Sequence, residues 1–312
     1  MTELYRGRFA PSPTGPLHFG SLVAAVASYL QARRHAGQWW LRIEDIDPPR
    51  EVPGASESIV RTLAQFGFEW HGEVVYQSQR SEIYQTALAQ LQQDGLLYPC
   101  ACSRKDIALR SPSGVYPGTC REGLAKGQQP RSWRVRCDER VIRFIDGIQG
   151  DIQCALSREI GDYVLERADG LLAYHLAVGV DDAQQGMTEV VRGADLLAST
   201  AQQIYLQQLL GYTSPTYLHH PVVLNTQGQK LSKQNLAAPL VPEQAVPQLW
   251  RALRFLGQPI PPELRRCSLD ELWQWAISHW QLAAIPRVAQ LPTDEIGPLT
   301  DKGSMEDAFE NG

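Results

Sequence analysis

Arg8-Phe9-Ala10-Pro11-Ser12-Pro13-Thr14-Gly15-Pro16-Leu17-His18-Phe19-Gly20-Ser21 reads as a stiff loop running into a helix. Pro11, Pro13 and Pro16 restrict the backbone, while Gly15 and Gly20 permit a tight turn or close approach to a ligand. Residues 22–30 contain neither Pro nor Gly, and apolar residues at 22, 23, 26, 29 and 30 follow helical spacing. His18, Gly20 and Ser21 therefore fall where a helix begins. Free backbone N–H groups and the positive dipole end favour a phosphate there. An imidazole beside such a site can donate a hydrogen bond to charge building up on a phosphoryl oxygen.

Leu41, Ile43 and Asp45 alternate with Trp40, Arg42 and Glu44, so a short strand runs into an acidic end after the Gly37 break. Strand, helix, strand opens an α/β parallel sheet, whose ligands bind at the carboxyl ends of the strands. Helices predicted over 56–66 and 81–94, with a strand at 74–76, complete its first half. The second half is predicted to begin at Leu171–Asp182, an apolar run ending in two acids that suits a buried parallel strand. Val190–Asp195, a helix over 198–210 and a buried strand over 221–225 follow. The fold class is a Rossmann-type doubly wound sheet. After a Gly228 turn comes Lys230-Leu231-Ser232-Lys233-Gln234, whose lysines could swing over a triphosphate and neutralise charge moving onto pyrophosphate. Helices over 241–256 and 269–280 close the chain, with Trp273, Trp275 and Trp280 as core. Residues 294–312 are polar and read as disordered.

The net charge of −5 excludes a purely electrostatic nucleic-acid binder, so any RNA contact needs a local patch. The most basic run holds Arg131, Arg134, Arg136, Arg140 and Arg143, and guanidinium groups suit a phosphate backbone. No apolar run reaches the ~18 residues of a membrane span, and the start lacks a signal peptide's apolar core. A cytoplasmic protein without a membrane partner is expected. Six cysteines in 312 residues do not suggest a disulfide scaffold. Cys100, Cys102 and Cys120 could hold one tetrahedral zinc with a fourth ligand from elsewhere, but their spacing leaves zinc and inert buried thiols equally open.

Arg8–Ser12 followed by Leu17-His18-Phe19-Gly20 closely resembles the first ATP-binding motif of class I aminoacyl-tRNA synthetases. It is similar to the glutamyl/glutaminyl branch, in which a small residue such as Ser21 replaces a second His. Arg42–Asp47, Tyr174, Arg192–Asp195 and Lys230–Lys233 match the same branch, while Gln234 departs from its usual Arg or Ser. The resemblance spans residues 6–290 and implies ATP and Mg²⁺ chemistry. It assigns His18, Lys233 and the helper Lys230 to ATP and the transition state, with Gly20 and Ser21 also at ATP. It places glutamate on Arg8, Phe9, Ala10, Pro11, Ser12, Glu44, Tyr174 and Arg192. There Glu44 holds the ammonium group, and Arg192, helped by Arg8, meets the side-chain carboxylate.

Residues 98–120 resemble the zinc-bearing insertion of a branch member that lacks an anticodon-binding domain, which implies a Zn²⁺ site of Cys100, Cys102, Tyr116 and Cys120. The implied layout is a catalytic half at 1–97, the insertion at 98–168, a second half at 169–240, a helical subdomain at 241–292 and a tail at 293–312. A monomer would transfer glutamate to the queuosine base at the wobble position of tRNA(Asp). The alternatives are a truncated synthetase charging a tRNA 3′ end and a non-catalytic amino-acid-binding paralogue.

Overall fold

A computed structural model describes residues 4–225, 227–231 and 238–293 of the chain. Strand β1 (Arg6–Phe9) leads through the Pro-rich loop into helix α1 (Phe19–Arg34), which is buried along almost its whole length from Leu22 to Ala32. Strand β2 (Gln38–Ile43), helix α2 (Ala55–Gln65), strand β3 (Val75–Tyr76) and helix α3 (Ser81–Gln93) follow, each within a residue or two of its sequence period. Strands β1, β2 and β3 pair in parallel.

The middle of the chain divides between two sheets. Strand β4 (Leu97–Cys100) and strand β5 (Ser132–Val135) pair in a small antiparallel sheet, with helix α4 (Arg104–Arg110) between them in the chain. Strands β6 (Val141–Asp146) and β7 (Gly150–Ala155) form a hairpin, followed by the one-turn helix α5 (Leu156–Glu159). Strand β8 (Val164–Glu166) then returns to pair with β5. Helix α6 (Tyr174–Gln184) precedes strand β9 (Glu189–Gly193), helix α7 (Leu197–Leu209) and strand β10 (Thr216–His220).

Strand β10 pairs in parallel with β9 on one side and β6 on the other. Strand β9 lies beside β1, tied to it by the Thr188 N–H on the Arg6 carbonyl (3.0 Å). The strands thus run in the order β3-β2-β1-β9-β10-β6-β7, and the order reverses between β1 and β9. Such a switch point is where a doubly wound sheet opens a crevice at its strand ends.

Three expectations change. Leu171–Asp182 is no strand: from Tyr174 it is α6. A helix enclosed on most sides is apolar all round, and a continuous apolar run does not distinguish it from a buried strand. The strand in that part of the sheet is β10, which the sequence reading passed over. Val222–Leu224 is a strand, β11, but it pairs with β12 (Gln290–Pro292) and not with the main sheet. The arginine run is largely engaged within the protein. Arg134 is buried and donates to the Asp162 carbonyl (2.7 Å), Arg136 donates to the Arg121 carbonyl (2.8 Å), and Arg140 pairs with Asp138. Arg131 and Arg143 are exposed.

Helices α8 (Ala245–Phe255) and α9 (Leu269–His279) pack on α1 and extend its core. Trp273 sits edge-on to Tyr29 and Phe68 and donates its indole N–H to the Phe66 carbonyl (2.9 Å). Trp280 is buried and bonded to Gln31, while Trp275 is half-buried against His279. Residues 294–312 lie outside the described residues.

The two halves are joined by buried charge. Arg42 on β2 is fully buried and donates to Asp182 of α6 (2.8 Å), and it lies 3.7 Å from Asp181. Asp181 also accepts from Gln77 (2.8 Å), Arg80 (2.7 Å) and Tyr84 (2.8 Å). Removing one partner from such a network leaves a charge buried without compensation. Arg42→Met is expected to lower the unfolding free energy by about 3–5 kcal/mol in urea denaturation. A loss below about 1 kcal/mol, the scale of an exposed pair, would contradict this account.

Candidate active site

His18 caps α1: its backbone is extended, and Nδ1 accepts from the Ser21 N–H (3.4 Å). With Nδ1 as acceptor, a neutral ring carries its proton on Nε2. Gly20 permits this packing, since a Cβ there would stand 3.1 Å from the His18 ring and 3.4 Å from the Leu231 carbonyl. The helix start opens onto a cleft of ≈ 610 Å³ lined by His18, Gly20, Ser21, Gly193, Asp195 and Lys230. Lys230 reaches Asp195 at 2.5 Å, so the first lysine of the second motif is tied to the loop after β9. Ser232, Lys233 and Gln234 lie outside the described residues.

Phe9 and Pro11 also line this cleft, and Ala10 is half-buried between them. The Pro11 carbonyl accepts the Glu44 N–H (3.0 Å), which fastens the Pro-rich loop across the end of β2. Ser12 and Thr14 line both this cleft and a second cavity of ≈ 220 Å³, so the two meet at the loop. Glu44, Gln77, Tyr174 and His175 line the second cavity.

Four of the expected residues converge on one place although they come from β1, β2, α6 and β9: Arg8, Glu44, Tyr174 and Arg192. Burial and the Glu44 charge push the Tyr174 phenol up, while Arg192 and Arg8 pull it down, so Tyr174 lies within reach of the other three. Burial pushes the Glu44 carboxyl up to about 7, although Arg42 and Arg8 oppose it. Arg42 Nη2 donates to Glu44 at 3.4 Å.

The two arginines differ in their partners. Arg8 forks onto Asp182 through Nε and Nη2, both at 3.1 Å. Burial raises the Asp182 carboxyl, but Arg8 and Arg42 outweigh that and hold it down at about 2. Arg192 is also buried, yet it makes no ion pair among the described residues. Its Nε donates to His219 Nε2 (3.0 Å), and Nη2 donates to Thr200 (2.9 Å) and Gln203 (2.7 Å). Its Nη1 is buried with no partner. Sequence reading missed Arg42, Asp146, Asp182, Gln203 and His219. Acids inside an apolar run were the one signal available, and read as a helix that run would have pointed to Asp181 and Asp182.

Away from the crevice, the Sγ atoms of Cys100, Cys102 and Cys120 lie within 4.8 Å of one another. Tyr116 Oη is 3.3 Å from Cys100 Sγ and 3.9 Å from Cys102 Sγ, and Cys102 and Cys120 are 3.7 Å apart. Gly161, with φ 75°, lets the chain pass the Tyr116 backbone, where a Cβ would meet both its N and its O at 2.8 Å.

A phosphate-ready helix start and a paired acid and arginine pocket, at the switch point of a doubly wound sheet, define a class I synthetase catalytic centre. The family model of the catalytic domain of class I tRNA synthetases (E and Q) matches residues 5–256, and the chain belongs to this family. It is 57% identical over 293 residues to the glutamyl-Q tRNA(Asp) synthetase of Dechloromonas aromatica, covering 92% of this chain and 97% of that one. The Pseudomonas aeruginosa protein of the same name is 51% identical over 296 residues, covering 95% and 100%. Among solved structures, a glutamate tRNA ligase from Elizabethkingia meningosepticum in complex with its amino acid superposes with a TM-score of 0.78 at 26% identity, over 93% of this chain and 67% of that one.

The elevated Glu44 carboxyl fixes a pH dependence. Below about 7 it is protonated and neutral, and above that it carries a charge suited to an ammonium group. The affinity for L-glutamate, measured by calorimetry, is expected to rise from pH 6 to pH 8. Glu44→Gln should remove that rise and weaken binding throughout.

Proposed function

We propose that the chain activates L-glutamate with ATP to glutamyl-adenylate and transfers the glutamyl group to the queuosine base at the wobble position of tRNA(Asp). The observation that carries the glutamate assignment is Arg192: a buried guanidinium with an unpartnered Nη1, acting on the Tyr174 phenol together with Glu44, an acid suited to an ammonium group. A dicarboxylic amino acid supplies both missing charges. The queuosine assignment follows the names of the D. aromatica and P. aeruginosa relatives.

The glutamate α-carboxylate attacks the α-phosphorus of ATP and expels pyrophosphate, so the protein supplies no nucleophile. Catalysis is positioning and charge stabilisation. Glu44 and Tyr174 orient the amino-acid backbone, with Phe9, Ala10, Pro11 and Ser12 of the Pro-rich loop beside it. Arg192 takes the side-chain carboxylate. Arg8, already forked to Asp182, acts mainly by fixing the floor of the pocket. His18 donates from Nε2 to the phosphoryl oxygens, Gly20 and Ser21 present the helix start, and Lys230 and Lys233 offset charge on the departing pyrophosphate. Mg²⁺ accompanying ATP would neutralise part of the triphosphate charge. The chain works as a monomer in the cytoplasm, where its substrates are.

Label from glutamate is expected in the anticodon nucleoside of queuosine-containing tRNA(Asp), and nowhere on tRNA(Asp) lacking queuosine. Label on a tRNA 3′-terminal adenosine would replace this reading with that of a minimal synthetase. No label on either would support a non-catalytic binding protein.

The Cys100, Cys102, Cys120 and Tyr116 cluster fits zinc. A Zn–S distance of about 2.3 Å puts tetrahedral sulfurs about 3.8 Å apart, and Cys102 and Cys120 are 3.7 Å apart. The ion would cross-link the end of β4 to the 116–120 loop and stabilise the small sheet. About one zinc per chain is expected by elemental analysis of the purified protein. Cys120→Ser should release it and lower the melting temperature, whereas retention of full zinc by this variant would remove Cys120 from the ligand set.

A further inference from the structure

Three adjacent strands line up an acid, an imidazole and a guanidinium. His219 on β10 is the register partner of Arg192 on β9, and Asp146 on β6 is the partner of Tyr217, two residues before His219. Period-2 alternation therefore puts all three side chains on one face of the sheet. Asp146 Oδ1 accepts the backbone N–H groups of Ile148 (3.0 Å), Gln149 (2.9 Å) and His219 (3.1 Å), and Oδ2 meets His219 Nδ1 at 2.5 Å. A carboxylate so engaged is an acceptor, so Nδ1 carries the proton and Nε2 presents a lone pair. That lone pair receives the Arg192 Nε–H at 3.0 Å. A protonated imidazole would instead set two N–H groups against each other.

The remaining partners of Arg192 share one property. Thr200 and Gln203 are neutral, like His219, whereas Arg8 next door is forked to a carboxylate. Gln203 shows that this neutrality is costly. Its Oε1 serves Arg192 at 2.7 Å, but its Nε2 is buried without a partner. A glutamate of the same shape would give the buried arginine a charged partner, a stronger interaction than the amide makes. Retaining the amide makes sense if the arginine's charge must stay available.

We infer that His219, Thr200 and Gln203 form a collar of neutral acceptors that orients Arg192 while leaving its positive charge unspent, and that Asp146 secures the collar by fixing the His219 tautomer. These are positioning residues, and the inference rests on the glutamate reading above. Preference for an acidic over an amide side chain then depends on residues that never touch the substrate.

The decisive variant is Gln203→Glu, which keeps the shape and the hydrogen bond and adds only charge. Pyrophosphate exchange by the full chain with tRNA present, run with glutamate and with glutamine, gives KM and kcat for each. Q203E is expected to melt at or above the wild-type temperature. Its KM for glutamate should rise on the order of 100-fold with kcat changed much less, and its preference for glutamate over glutamine should fall by a similar factor. His219→Ala should raise the glutamate KM about tenfold, and His219→Gln, which retains an acceptor toward Arg192, should recover most of that loss.

If Q203E keeps the wild-type KM and preference, or if H219Q is no better than H219A, the inference is wrong. Should Q203E fail to fold, the H219Q and H219A pair decides by itself. Wild-type protein that exchanges no pyrophosphate with glutamate overturns the functional reading and this inference together. An active wild type with indifferent variants overturns the inference alone.

Discussion

The fully buried guanidinium of Arg42 is the constraint from which the rest of the site follows. It stands on the second strand of the first half and binds the two acids near the end of α6, an element of the second half. A charge with no access to water must be matched within hydrogen-bond reach, so the position of α6 against β2 is tightly limited. Asp182, once placed by Arg42, also receives the Arg8 fork, and Asp181 gathers Gln77, Arg80 and Tyr84. One network thus sets the distance between the two halves of the crevice.

Local electrostatics then gives two arginines of one pocket different work. Arg8 and Arg192 are equally buried and carry the same charge, but a carboxylate neutralises one and uncharged acceptors surround the other. Only the second retains an attraction for an incoming anion. On charge alone, a pocket with both arginines would be strongly cationic. The geometry instead leaves one arginine without an ion pair, and with Glu44 also acting on Tyr174 the charges match a zwitterion carrying an additional carboxylate.

Much of this was legible in the sequence. Pro11, Pro13, Pro16 and Gly20 announced the loop and helix start because their constraints are local to the backbone. The periods of α2 and α3 gave those helices to within a residue or two, since amphipathic burial imposes 3.6 residues per turn, whereas α1 runs on to Arg34, four residues past the stretch that signalled it. Glu44 was placed at a strand end by simple alternation. Leu171–Asp182 resisted the same treatment, because a helix buried on most sides loses its periodic contrast. The basic run was legible as charge but not as contact: Arg134, Arg136 and Arg140 have partners within the fold, supplied by segments far along the chain or by a turn.

By itself, then, the sequence determined which groups were available: a histidine at a helix start, an acid at a strand end, two arginines, and three thiols with a phenol nearby. These depend on neighbours along the chain, where spacing and backbone stereochemistry suffice. Only the tertiary structure decided how each group is used. Asp182 reaches Arg8 from 174 residues away, Asp146 reaches His219 across 73, and together with Gln203 they determine which arginine is already paired with a carboxylate and which is not. Charge compensation acts over a few ångströms in space and is blind to distance along the chain, so no local pattern could have carried it.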